Sequence, residues 1–428
     1  MKKNTLCFAL ALSLALSSSV YADDRARAKR IHERLTGVPP SNEMLDSMER
    51  EVGLGNVITA AQYAMDGALV DGVPASGHFY NVVVKNWASP WTNEAQDVAV
   101  SLNDYTATVV GLVRDSDTAG PEGFKKVLYD NVVYKGNTGV VAGLNTAYST
   151  ENNNHYEQLE QLAVNLGDST VLVRDVQSSV ALPASATAGV MTTRAAASAF
   201  FIDGTNRAML RFTLLNHLCF DLEQLKDNSR PADRVRQDVS RSPGLDSTLF
   251  LNQCVACHAG MDPLAQAFAY YEYYPSMADR PDLTEEQRRQ NGHLVYTPGS
   301  VQAKYHINDQ SFEPGYITPN DHWTNYWRLG DNSAKLGWLN AAANSSSLDM
   351  ALNPAYSEGD GAKSLGVELA NSQAFAVCQV KKVYRSVCHR EPQESDRTAF
   401  DSLVSAFLAD FNIKLTFARA AESCTSHL

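Results

Sequence analysis

Along most of the chain, apolar residues recur at the three-to-four-residue period of helices, and the periodic stretches are separated by long runs that have no period. A charged helix is predicted over Asp24–Leu35, stopped by Gly37 and by Pro39-Pro40. Ser41 can cap a second helix whose stripe uses Met44, Leu45 and Met48. Further helices are expected over Asn56–Met65, Trp91–Asn103, Tyr105–Arg114, Tyr156–Leu166 and Arg207–Leu218. Glycine- and asparagine-rich turns cut residues 115–155 into short pieces, and Ser169–Val180 reads as extended. Asp227–Gly244 is a polar surface loop, and Glu285–Gly292 is a short charged helix at most. Tyr296–Leu352 is rich in Tyr, Trp, Asn and Gly without clean periodicity, as in a functional loop whose aromatics need something to pack on. The end of the chain returns to helix over Ser372–Cys388 and Asp396–Phe411, with Phe375, Val380, Val383, Tyr384 and Val387 near one face. The fold class is therefore mainly α, a multi-helix protein with long irregular loops.

The first residues have a different character. Lys2 and Lys3 precede an apolar run from Leu6 to Leu16 that is too short to span a bilayer. Val20 and Ala22 stand where signal peptidase prefers small residues, so cleavage is expected after Ala22. Cys7 lies inside the apolar run, which argues against a lipid-anchored start. The mature chain is expected in the periplasm or outside the cell, including its surface, with no transmembrane segment.

Composition narrows the partners. Hydrophobic residues at 44% argue for a packed core and against disorder. A formal charge of −12 disfavours nucleic acid, whose phosphates need the opposite sign.

Without Cys7, six of the seven cysteines remain: Cys219, Cys254, Cys257, Cys378, Cys388 and Cys424. Cys254-Val-Ala-Cys257-His258 is the Cys-x-x-Cys-His pattern of c-type haem attachment, in which two thiols one helical turn apart form thioethers and the histidine meets iron. One covalent haem c is expected, held by Cys254 and Cys257 with His258 as proximal ligand. A thioredoxin-like redox pair and a zinc half-site are the alternatives. For the opposite iron ligand the choices are Met191 and His306, ahead of Met277, His293, His322, Met350, Met209, His217 and His78. Arg194, Arg207, Arg230, Arg234, Arg236 and Arg241 are candidate partners for haem propionates. Cys378 and Cys388 lie about 15 Å apart along one predicted helix, so disulfides are expected to join Cys219 to one of them and Cys424 to the other.

The stretch Gly189-Val-Met191-Thr, a proline-containing loop, and then Cys254-Val-Ala-Cys-His-Ala-Gly-Met-Asp-Pro-Leu264 leading to Phe268 resembles the haem-bearing part of planctomycete-type cytochrome c proteins. The Phe375–Pro392 stretch is similar to the helical module that closes those proteins, and Arg34–Ser41 to their front segments. The resemblance implies an exported, mostly helical monohaem protein that handles electrons, with domains of unknown function around one haem module.

Five parts are expected: a signal peptide at 1–22, a helical domain at 23–168, a haem c-binding module at 169–295, an aromatic-rich insertion at 296–355 and a helical module at 356–428. The function expected is electron transfer by Fe(III)/Fe(II) cycling with a redox partner protein such as another cytochrome. One alternative is a haem oxidoreductase or peroxidase-like enzyme with an open distal site, using His306, His322 and Arg328. The other is a haem-bearing structural or assembly subunit of a larger cytochrome complex, with Trp323, Tyr326, Trp327 and Trp338 at a homo- or hetero-oligomeric interface. The sequence holds neither a phosphate-cradling glycine motif nor a serine nucleophile constellation.

Overall fold

The computed structural model describes residues 24–425 except 119, 121, 180–181, 203–204, 277–280, 283, 285–286, 288–290, 307–314 and 340–356. The expected signal peptide, the candidates Met277 and Met350, and most of the Glu285–Gly292 helix lie outside the described residues.

The opening helix runs over 24–36 and ends at Gly37, whose φ of 75° is the left-handed conformation that favours glycine. Ser41 then caps the Asn42–Gly53 helix, its hydroxyl accepting the Met44 N–H at 3.1 Å. Val57–Asp66 follows as expected. The apolar faces of these three helices, through Ile31, Leu35, Met48 and Met65, enter one continuous core that also contains Phe407, Phe417 and Ala421 from the other end of the chain. At its centre the Asp104–Arg114 helix is buried along its whole length.

The strands among the described residues form four antiparallel pairs. The three longer pairs are Val133–Gly136 with Leu172–Asp175, Tyr271–Pro275 with Gly292–Tyr296, and His322–Asn325 with Ser357–Asp360. At the C-terminal end Gln373–Cys388, Arg397–Asp410 and Ile413–Thr425 pack on one another, and the last of them reaches the Val57–Asp66 helix. Two disulfides tie this region down: Cys219–Cys378, with Cα atoms 5.3 Å apart, and Cys388–Cys424, at 5.6 Å. This is the expected arrangement, with no bond inside the Gln373–Cys388 helix.

Several expectations need correction. Trp91–Asn103 is not a helix: after a 3-10 turn over Ser89–Thr92, Asn93 bonds the Ser89 and Asp97 backbone and Gln96 takes a φ of 56°. Such side-chain bonds offer the backbone an alternative to the helical ladder. The aromatic stretch is not a bare loop. It contributes the His322–Asn325 strand, a 3-10 turn over Tyr326–Arg328 and the Asp331–Leu336 helix, and Trp323, Tyr326 and Trp327 are buried. Tyr271 and Tyr273 are core residues, whereas Tyr274 is 49% exposed.

The mainly α fold with long loops stands. The embedded c-type haem module does not, because the cysteine pairs the fold makes are disulfides. In addition, no three or more His, Cys, Asp or Glu side chains converge as a metal site among the described residues. Among those residues, no helix is long and apolar enough to cross a membrane.

Candidate functional site

Among the described residues Cys254 and Cys257 are the free cysteines, and both are partly accessible. They lie where a π turn over Phe250–Cys254 passes into the Val255–Ala265 helix, a type of irregularity frequent at functional sites. Residues at i, i+3 and i+4 share a helix face, so Cys254, Cys257 and His258 point the same way. Every other residue of the Val255–Ala265 helix is buried.

The helix is held hard against its surroundings. Gly260 has no room for a side chain because the Trp327 indole occupies that space. The Ala256 carbonyl accepts the Asp227 N–H at 2.8 Å. One turn beyond His258, Asp262 is fully buried and its Oδ1 lies 3.1 Å from His258 Nδ1. Burial by itself would raise the Asp262 carboxyl, but the Arg207 guanidinium overrides it and, with His258, holds it far below the usual carboxylate range. Arg207 spans Asp262 and Asp238 with bonds of 2.6 to 3.1 Å. These two carboxylates also outweigh the burial of Arg207 and keep its proton firmly in place.

An ionised Asp262 only accepts hydrogen bonds, so His258 Nδ1 carries the hydrogen and Nε2 offers a lone pair. Cys257 Sγ lies 3.9 Å from the Leu222 carbonyl oxygen. Burial pushes its thiol up, so at neutral pH it rests protonated.

No family model, no curated protein and no solved structure matches this chain.

The resemblance to planctomycete-type cytochrome c proteins is therefore corrected, on the disulfides and on the absence of a converging ligand set among the described residues. The haem c expectation falls with it, as do iron, metal binding, the electron-carrying cytochrome, the peroxidase-like alternative and the haem-bearing assembly subunit. The surrounding side chains give the physical reasons. Met191 is sealed in the main core at 1% exposure, its Cε 3.1 Å from where a Cβ on Gly366 would sit. His306 ends the Ala303–His306 turn, whose Tyr305 donates to the Ala265 carbonyl at 3.2 Å and lies under Arg236.

The proposed distal residues are engaged elsewhere. His322 Nδ1 meets Asp360 at 2.9 Å, and Arg328 makes a two-pronged pair with Glu368 at 2.8 and 2.7 Å. The candidate propionate arginines likewise have protein partners: Arg207 on Asp238 and Asp262, Arg230 on Asp227, Arg234 on Gln266 and His322, Arg236 on Asp238, and Arg241 on backbone carbonyls. The loop arginines brace the fold around the Val255–Ala265 helix. Sequence reasoning missed Asp262 as the partner of His258, although its i+4 spacing from His258 carries the signal.

Proposed function

We propose that Cys254 and Cys257 form a redox-active dithiol that exchanges with disulfides of a partner protein outside the cytoplasm. The carrying observation is that the free Cys257 thiol and the His258 imidazole are the accessible groups on a helix otherwise buried, with the free, partly accessible Cys254 thiol on the residue just before it. One helical turn separates the cysteines, a spacing compatible with the Cα separation of a disulfide.

The exchange balances in atoms and electrons. His258 Nε2 takes the Cys254 proton, the Cys254 thiolate attacks one sulfur of the partner disulfide, and that disulfide breaks to release a thiolate. The first partner thiolate to leave takes the Cys257 proton, and Cys257 Sγ then attacks Cys254 Sγ in the mixed disulfide, closing Cys254–Cys257 and releasing the second partner thiolate, which takes the proton held on His258. The dithiol loses two electrons and two protons, and the partner gains both. Arg207 and Asp262 act through His258, as positioning residues that fix its tautomer.

Alkylation followed by intact-mass measurement on the exported protein, before and after a small-molecule disulfide such as oxidised glutathione, tests this. Two alkylatable thiols that disappear together with the loss of two hydrogens, and return on reduction, support the dithiol. A permanent non-reducible substituent on both sulfurs, or thiols inert to the disulfide, would sink it.

A further inference from the structure

Far along the chain from the dithiol, the opening helix, the 79–92 segment and the end of the Gln373–Cys388 helix enclose an open cleft of about 920 Å³. Its charged lining is mostly cationic in a protein of net charge −12. Some of these charges are balanced locally: Arg390 pairs with Asp396, Arg385 with Glu391 at 2.9 Å, and Glu33 faces Lys29 at 3.8 Å.

Arg34 and Lys382 are different. Among the described residues neither has a carboxylate within ion-pair distance, and each donates to a backbone carbonyl: Arg34 Nη1 to Val387 at 2.9 Å, Lys382 Nζ to Asn216 at 2.6 Å. Lys382 Nζ also lies 4.4 Å from the centre of the Trp91 ring. Burial, with Arg385 nearby, pushes Lys382 down to about 7, and burial, with Arg390 and Arg30, lowers Arg34. Two basic side chains that line one cleft and are met only by backbone carbonyls are the condition an incoming anion relieves.

Asn86, Gln96, Ser386 and His389 also line the cleft, but one stretch of its wall is apolar. Val82 is 40% exposed on it, Trp87 and Pro90 continue it, and the buried Trp87 Nε1 has no acceptor in the protein.

We infer that this cleft binds a small organic carboxylate with an apolar body of aromatic-acid size, its charged end meeting Arg34 and Lys382 and its body lying along Val82, Pro90 and Trp87. The inference is independent of the dithiol: no residue is shared, and either reading survives failure of the other.

Titration calorimetry with 2-naphthoate and with its neutral alcohol, 2-naphthalenemethanol, at low ionic strength tests it on the full exported chain. The carboxylate should bind at least about tenfold more tightly than the alcohol. Arg34→Gln and Lys382→Met should each remove most of that preference. Val82→Asp, at an exposed position that leaves the core untouched, should weaken the carboxylate by a similar factor. Equal binding of the two probes, no binding of either, or carboxylate affinity unchanged in a folded Val82→Asp protein overturns the proposal.

Discussion

The Trp327 indole lies directly against the backbone of Gly260, in the space where any other residue would place its Cβ. Trp327 is 1% exposed and comes from a segment far along the chain, so this contact fastens the helix bearing the dithiol to the aromatic region. A helix pinned on its inner face in this way keeps its outer face, with Cys254, Cys257 and His258, in a fixed orientation.

Gly260→Ala should therefore be costly although alanine is the better helix former. Overpacking of this kind costs about 1–3 kcal/mol, read as a lower urea midpoint with an altered tryptophan emission spectrum. An unchanged midpoint would show that Trp327 moves aside freely.

The Arg207–Asp262 pair should behave as a unit. Arg207→Ala leaves Asp262 buried and uncompensated and should lower stability by about 3–5 kcal/mol, whereas adding Asp262→Asn should recover part of the loss. Because the Asp262 carboxyl is held below its unfolded value near 3.8, its contribution is complete at neutral pH and is lost as pH falls below about 4. Chemical melts of the wild type and both variants at pH 7 and pH 3 check the sign: the penalty of Arg207→Ala should be smaller at pH 3.

Asp321 has the opposite sign. Burial, with Asp360 adding to it, pushes its carboxyl up to about 6, so the folded state binds a proton more tightly than the unfolded state does. Stability linked to Asp321 thus rises as pH falls from about 6 to about 4. Asp321→Asn should be more stable than wild type at pH 7.5, by roughly 2–3 kcal/mol, and the gain should shrink toward zero at pH 4. A gain of equal size at both pH values would show that charge is not the cause.

The helices legible in the sequence are those whose apolar stripes meet the core locally, such as Asn42–Gly53 and Gln373–Cys388. Gly361–Ala370 was hidden behind the acidic, glycine-rich Ser357–Gly361 stretch, which reads as a solvated turn but forms a strand and the start of a helix. Ile413–Thr425 was masked by Phe411 and Asn412, which look like an end: Phe411 does close one helix, with a φ of 48°, and a new one begins at once. Burial of Trp323 and Arg328 was unreadable because it depends on Ser364 and Glu368, which are about forty residues away in sequence. At the candidate site, spacing singled out Cys254, Cys257 and His258. What the motif could not carry was the chemistry around it, because Arg207 and Asp238 come from other segments and show their pairing with Asp262 only once folded.

The Cys219–Cys378 bond links positions 159 residues apart, so the chain between them is a closed covalent ring that holds the dithiol and the whole aromatic region. A protease that cuts once inside this ring opens it without releasing anything, since each half keeps one of the bonded sulfurs. Cys388–Cys424 closes a second, smaller ring at a separation of 36. A molecule nicked once inside either ring thus stays one covalent particle, and only a reductant turns that cut into a loss of mass.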